Sequence, residues 1–287
     1  MSEGPLVTAN NLRVAFGRGA HAIPIVHGIS FTVGREKVAI VGESGAGKST
    51  VGRAIMRLLP PAAHVTADRL MFREIDLLAA SERQMMDLRG RHMGLIMQDP
   101  KYSLNPVVPV GEQIAESWRL HHHGRAARRE AFDRTLAILE AVKIRDPGRV
   151  AKLYPHEISG GMGQRVMIAM MLISGPELLI ADEPTSALDV TVRMEVLGLL
   201  DELIASRGLG LVFISHDLNL VRRFCDRVII MYSGRIVETL AAVDLDHAEH
   251  PYTRALLSSL PSIHDQKPRL PVMMRDPAWL SQSGITQ

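Results

Sequence analysis

VAIVGESGAGKST, residues 38–50, runs from an apolar stretch through a glycine-rich turn to a lysine. Residues 42–49 fit the spacing G-x-x-x-x-G-K-[ST], in which glycines let the backbone curl until successive N–H groups aim at phosphate oxygens. Lys48 is then set to reach the β and γ phosphates, and Ser49 to offer its hydroxyl to Mg²⁺. A helix starting here adds its positive N-terminal end to the same anion site. A strand-like run before the turn and a helical pattern over residues 51–56 favour this reading over an ordinary strand-to-helix turn. Gly42, Glu43, Ser44, Gly45, Ala46, Gly47, Lys48, Ser49 and Thr50 are therefore candidate nucleotide-binding residues.

Outward from this loop, residues 6–16, 25–33 and 37–41 read as strands separated by Gly and polar turns. The helix behind the loop is expected to run to about Leu59, where Pro60 and Pro61 stop it. Residues 62–97 alternate polar turns with apolar pieces and end in the strand-like GLIMQ. The turn-rich DPKYSLNP follows, then helical periodicity over 111–144 with the basic, histidine-rich stretch HHHGRAARRE. Beyond it come a helix at 164–172, the strand ELLIAD, a helix at 191–206, the strand GLVFIS, a helix at 219–224 and the strand RVIIMYSG. This order predicts an α/β fold with a mostly parallel sheet covered on both faces, an antiparallel β flap and an inserted helical subdomain. After Glu238, prolines at 251, 261, 268, 271 and 277 suggest a small extension with a disordered end.

Bulk properties exclude several classes. At 287 residues, with 46% hydrophobic and 22% charged residues, the chain can bury a large core. A net charge of +2 argues against a protein built to coat nucleic acid. Cys225 is the single cysteine, which rules out an internal disulfide or a cysteine-held cluster and suits a reducing cytoplasm. The N-terminal MSEGPLVTANNLRV lacks the pattern of a signal peptide. The longest apolar run, 166–175, is far shorter than a spanning helix needs.

Two further stretches carry chemistry. LLIADEPTSALD, residues 178–189, ends an apolar strand in the carboxylates Asp182 and Glu183. Buried charge needs compensation, and Mg²⁺ beside a phosphate loop supplies it: Asp182 holds the metal, and Glu183 orients or deprotonates the attacking water. A plain acidic helix cap explains one carboxylate but not the pair. HEISGGMGQR, residues 156–165, puts Ser159, Gly160 and Gly161 before a helix, a second possible anion site that is weak when taken alone.

Together, in this order, these motifs resemble the ATP-binding cassette family, whose cassettes combine a P-loop (RecA-like) core with an antiparallel β subdomain and a helical subdomain. VGESGAGKST looks like Walker A, ISGGM (with Met162 in place of the usual glutamine) like the signature, LLIADEP like Walker B, and SALD with Asp189 like the D-loop. His216 in ISHD is similar to the switch histidine, and Gln98 to the Q-loop glutamine that also reaches Mg²⁺. Phe16 matches the aromatic that stacks on adenine, although a core strand phenylalanine explains it equally. The resemblance implies head-to-tail pairing of two cassettes, with Ser159, Gly160, Gly161 and Met162 serving the partner's ATP while Lys48, Gln98, Glu183 and His216 are catalytic. It divides the chain into core and flap with Walker A (1–97), helical subdomain (98–165), core with Walker B (166–238) and C-terminal extension (239–287).

EHPYTRALLSSLP at 249–261, with QDPKYSLNP and PHEISGGMGQRVMIAMML, is similar to the ATPases of dipeptide, oligopeptide and nickel importers. That implies ATP and Mg²⁺ as cofactors, two transmembrane permease subunits, a second and different ATPase, an extracytoplasmic solute-binding protein, and a peripheral place on the cytoplasmic face of the inner membrane. No nucleic acid is implied. The expected function is ATP hydrolysis driving uptake of a peptide-like solute. The alternatives are nickel or metallophore import, a non-hydrolysing regulatory cassette, or a soluble cassette protein outside transport. Gly163 stands where arginine is usual, a departure expected to loosen a surface or interface contact without touching catalysis. RAARRE reads as a solvated helix face or a lipid-headgroup contact, and three adjacent histidines do not converge on one metal.

Overall fold

The computed structural model describes residues 4–17, 19–99, 103–259 and 279. In chain order the elements are β1 (Val7–Phe16), β2 (Ile23–Val33), β3 (Lys37–Val41), α1 (Lys48–Ile55), β4 (Ala63–Thr66), β5 (Arg69–Phe72), β6 (Ile75–Asp76), α2 (Glu82–Arg91) and β7 (Met93–Ile96). Then follow α3 (Val110–Arg119), α4 (Arg125–Ala141), α5 (Pro147–Val150), α6 (Gly160–Leu172), β8 (Leu178–Asp182), α7 (Val190–Arg207), β9 (Gly210–Ser215), α8 (Leu218–Phe224), β10 (Arg227–Tyr232), β11 (Arg235–Ala241) and α9 (Pro251–Ser258).

The chain divides into two compact units, residues 1–80 with 212–287, and residues 81–211. In the first, the N-terminal strands form an antiparallel sheet in the order β2-β1-β5-β6, with β4 also paired to β1. Burial along β1 alternates on either side of a register shift between Ala9 and Leu12, which puts Val7, Ala9, Leu12 and Val14 inside. The other sheet strands of this unit run β11-β10-β3-β9, with β10 and β3 parallel and β10 and β11 antiparallel. β3 is buried from Val38 to Val41 and leads straight into the 42–50 loop, while β10 ends beside it at Met231 and Tyr232.

In the second unit β7 and β8 pair in parallel, and all five residues of β8 are buried. α3, α4 and α6 pack around Ile114, Trp118, Leu139 and Val166. α6 begins at Gly160, earlier than the apolar periodicity suggests, because the Ser159 hydroxyl caps it by accepting the Met162 N–H. α1 is shorter than expected: it ends at Ile55, and Arg57 already has a left-handed backbone. Gly163 is buried within α6. The predicted disordered end falls mostly on residues outside those described, as does Pro100-Lys101-Tyr102 of DPKYSLNP.

Candidate functional site

By unit, the candidate residues fall into two groups: Phe16, the 42–50 loop and His216 in the first, and Gln98, residues 159–162, Asp182, Glu183 and Asp189 in the second.

The loop owes its shape to close backbone approaches. A Cβ on Gly42 would lie 2.1 Å from the Met231 carbonyl oxygen, so only glycine fits. Gly45 and Gly47 have φ of 85° and 93°, and Gly47 lies against the Ile25 carbonyl of β2. The β10–β11 turn fastens the loop from the other side, with the Gly234 N–H donating to Ala46 O at 3.1 Å. Lys48 is 6% exposed, and its Nζ donates to the carbonyls of Gly42 and Glu43, both at 2.9 Å. A buried ammonium held on its own loop, next to a helix N-terminus, is an arrangement suited to binding an anion. Glu43 also donates its N–H to the Tyr252 hydroxyl of α9 at 3.0 Å, a contact that the loop motif gives no hint of.

Phe16 ends β1 half-buried, which sets it apart from the fully buried Leu12 and Val14 of that strand. His216 is exposed directly after β9, and the neighbouring Asp217 caps α8 by accepting the Leu220 N–H at 3.1 Å.

In the second unit, Asp182 closes β8 and is 9% exposed. Glu183 follows with φ of 48°, a left-handed conformation that costs an ordinary residue about 1–3 kcal/mol and recurs at functional sites. The tight turn behind it is tied by Ser186, whose N–H and hydroxyl both donate to the Glu183 carbonyl. The acidic helix cap in this stretch is Asp189, which accepts the Val192 N–H at 3.0 Å, and not Asp182 or Glu183. Gln98 is exposed just past β7.

Ser159 and Gly160 are exposed, and a groove of about 520 Å³ opens beside them, lined by Ser159, Gly161 and Met162 and by the cations Lys143, Arg145, Arg149 and Arg165. Arg165 is anchored by a 2.8 Å ion pair with Glu195 and by the carbonyls of Val142 and Lys143. These basic residues were not legible as a group, because they are scattered over 143–165 on separate elements.

The histidine run lies between α3 and α4: His122 stacks on Trp118 at 3.4 Å, while His121 packs against Gly90. Burial holds His121 below the ordinary histidine pKa, against the opposing pull of Asp87. Among the described residues no group of three His, Cys, Asp or Glu side chains could hold a metal, and no helix is long and apolar enough to cross a membrane.

Residues 26–186 match the family described as ABC transporter. The glutathione import ATP-binding protein GsiA of Escherichia coli O1:K1 is 44% identical over 93% of this chain, which spans only 44% of that relative. The probable peptide ABC transporter ATP-binding protein y4tR of Sinorhizobium fredii is 50% identical over 82% of this chain and 70% of its own length. Among solved structures, the dimeric bacterial ABC transporter cassette MJ0796 superposes with a TM-score of 0.72 at 26% identity, covering 82% of this chain and 98% of that one. The same cassette in a dimeric post-hydrolysis state bound to ADP and Pi gives 0.70 at 27% identity, with the same coverage.

Proposed function

The chain belongs to the ABC transporter family, and from that premise we propose that it is an ATP-hydrolysing motor subunit of an importer for a peptide-like solute. The observation that carries this reading is Lys48, a buried ammonium held by two carbonyls of a glycine loop at the start of α1. The loop N–H groups and Lys48 bind the phosphates, and the half-buried Phe16 stacks on the adenine. Ser49, Gln98 and Asp182 would hold Mg²⁺, which supplies positive charge to phosphate oxygens. Mg²⁺ keeps waters and takes ligands from phosphates, so two or three protein oxygens suit it without a dedicated cage.

Glu183 accepts a proton from, or orients, the attacking water, and its constrained backbone limits where its carboxylate can go. His216 bonds the γ phosphate, and Asp189 joins the neighbouring cassette. Ser159, Gly160, Gly161 and Met162, set beside the basic groove, receive a second cassette's ATP. The second cassette is a different ATPase. Both act with two transmembrane permeases and an extracytoplasmic binding protein, on the cytoplasmic face of the membrane. Two relatives support a peptide-like cargo, one a probable peptide ABC transporter protein and the other a glutathione import protein, glutathione being a tripeptide.

The test is MgATP binding by the purified chain and by Lys48→Ala. A loss of more than tenfold in affinity for Lys48→Ala is expected, and equal affinity for the two overturns the assignment.

A further inference from the structure

We propose that Tyr252 is a positioning residue for the phosphate loop, so that the C-terminal helix α9 sets nucleotide affinity; this rests on the reading of residues 42–50 as that loop. Two hydrogen bonds carry the proposal. The Glu43 N–H donates to the Tyr252 hydroxyl at 3.0 Å, and the Gly42 carbonyl accepts from Lys48 Nζ at 2.9 Å. Gly42 C=O and Glu43 N–H belong to one planar peptide unit. Tyr252 and Lys48 therefore grip opposite edges of the same plane, and the orientation of that plane decides where the ammonium sits.

The grip on the tyrosine side is rigid. Tyr252 is fully buried, and its ring meets Tyr232 of β10 at 4.5 Å and Trp279 at 5.5 Å between centroids. Its backbone N–H donates to His250 Nδ1 at 3.2 Å, which leaves Nε2 to carry the proton and donate to the Trp279 carbonyl at 3.2 Å. The start of α9 is fixed in turn by Glu238 Oε1 on β11, which accepts the N–H groups of Glu249 and His250. A tyrosine locked in this way presents its hydroxyl with little residual freedom. The peptide plane that it steadies is a neighbour of Met231, whose carbonyl closes the other side of Gly42.

The experiment is Tyr252→Phe in the full chain, with Tyr232→Phe as a control that removes a hydroxyl from the same aromatic cluster and Lys48→Ala as a reference. MgATP affinity by calorimetry, KM and kcat for MgATP, and Tm without nucleotide are measured for each. Tyr252→Phe is expected to weaken MgATP binding and raise KM two- to tenfold, the size of one net hydrogen bond, with kcat nearly held and Tm slightly below that of Tyr232→Phe, because the lost bond also exists without nucleotide. Tyr232→Phe is expected to bind as the unsubstituted chain does. Unchanged affinity in Tyr252→Phe, or equal weakening in both phenylalanine variants, overturns the proposal while the loop reading stands if Lys48→Ala has lost binding. Retained binding in Lys48→Ala removes the loop reading itself, and the proposal with it.

Discussion

Gly161 lies so close to Val192 that a Cβ built on the glycine would sit 2.6 Å from the valine Cγ1, locking the first turn of α6 against the first turn of α7. The adjacent Gly160 has room, its nearest neighbour being a Leu188 methyl 4.0 Å away. Gly161→Ala is therefore expected to cost about 1–3 kcal/mol through overpacking, read as a lower Tm. Gly160→Ala, by contrast, should leave Tm unchanged or slightly higher. Equal Tm values for the two variants contradict this account of the contact.

Glu183 pays for its place in backbone strain, with φ of 48° directly after the buried Asp182. Glu183→Gly relieves that strain and is expected to raise stability by about 1 kcal/mol while abolishing ATP turnover. Thermal melting and phosphate release measured on one preparation give both numbers. A less stable glycine variant would mean that contacts of the carboxylate outweigh the strain.

Two histidines make stability pH-dependent. Burial lowers the pKa of His27, helped by Arg235 and Arg13, and burial likewise lowers that of His121. The unfolded chain takes up protons near the ordinary value of 6.5 while the folded chain resists them, so stability is full above that pH and is lost as pH falls through it. Tm should drop between about pH 7 and pH 5.5, and the double variant His27→Gln/His121→Gln should show a shallower drop. A slope unchanged by the double variant would assign the acid sensitivity to other groups.

Much of the fold was legible because its signals are local. β9 matches the run GLVFIS residue for residue, since all six positions are buried between a glycine and a polar turn. α2 escaped notice because ERQMMDLRGR buries only Met85 and Leu88, and its clearest sign is the reciprocal Ser81 and Gln84 capping box rather than a hydrophobic stripe. At the candidate site the residue types could be read from the motifs, but long-range support could not. The bond from Tyr252 to Glu43 joins residues 209 positions apart, and EHPYTRALL marks its owner only as part of a C-terminal segment. The left-handed backbone of Glu183 was equally hidden, because glutamate carries no preference for it.

The measurement that bears most directly on the central claim is single-turnover phosphate release from MgATP by Glu183→Gln, alongside its MgATP affinity. The account predicts an affinity within about twofold of the unsubstituted chain and phosphate release slowed by at least about a hundredfold, as expected when the group that handles the attacking water is lost. Phosphate release at the unsubstituted rate would contradict the assignment of Glu183 as the group that handles the attacking water.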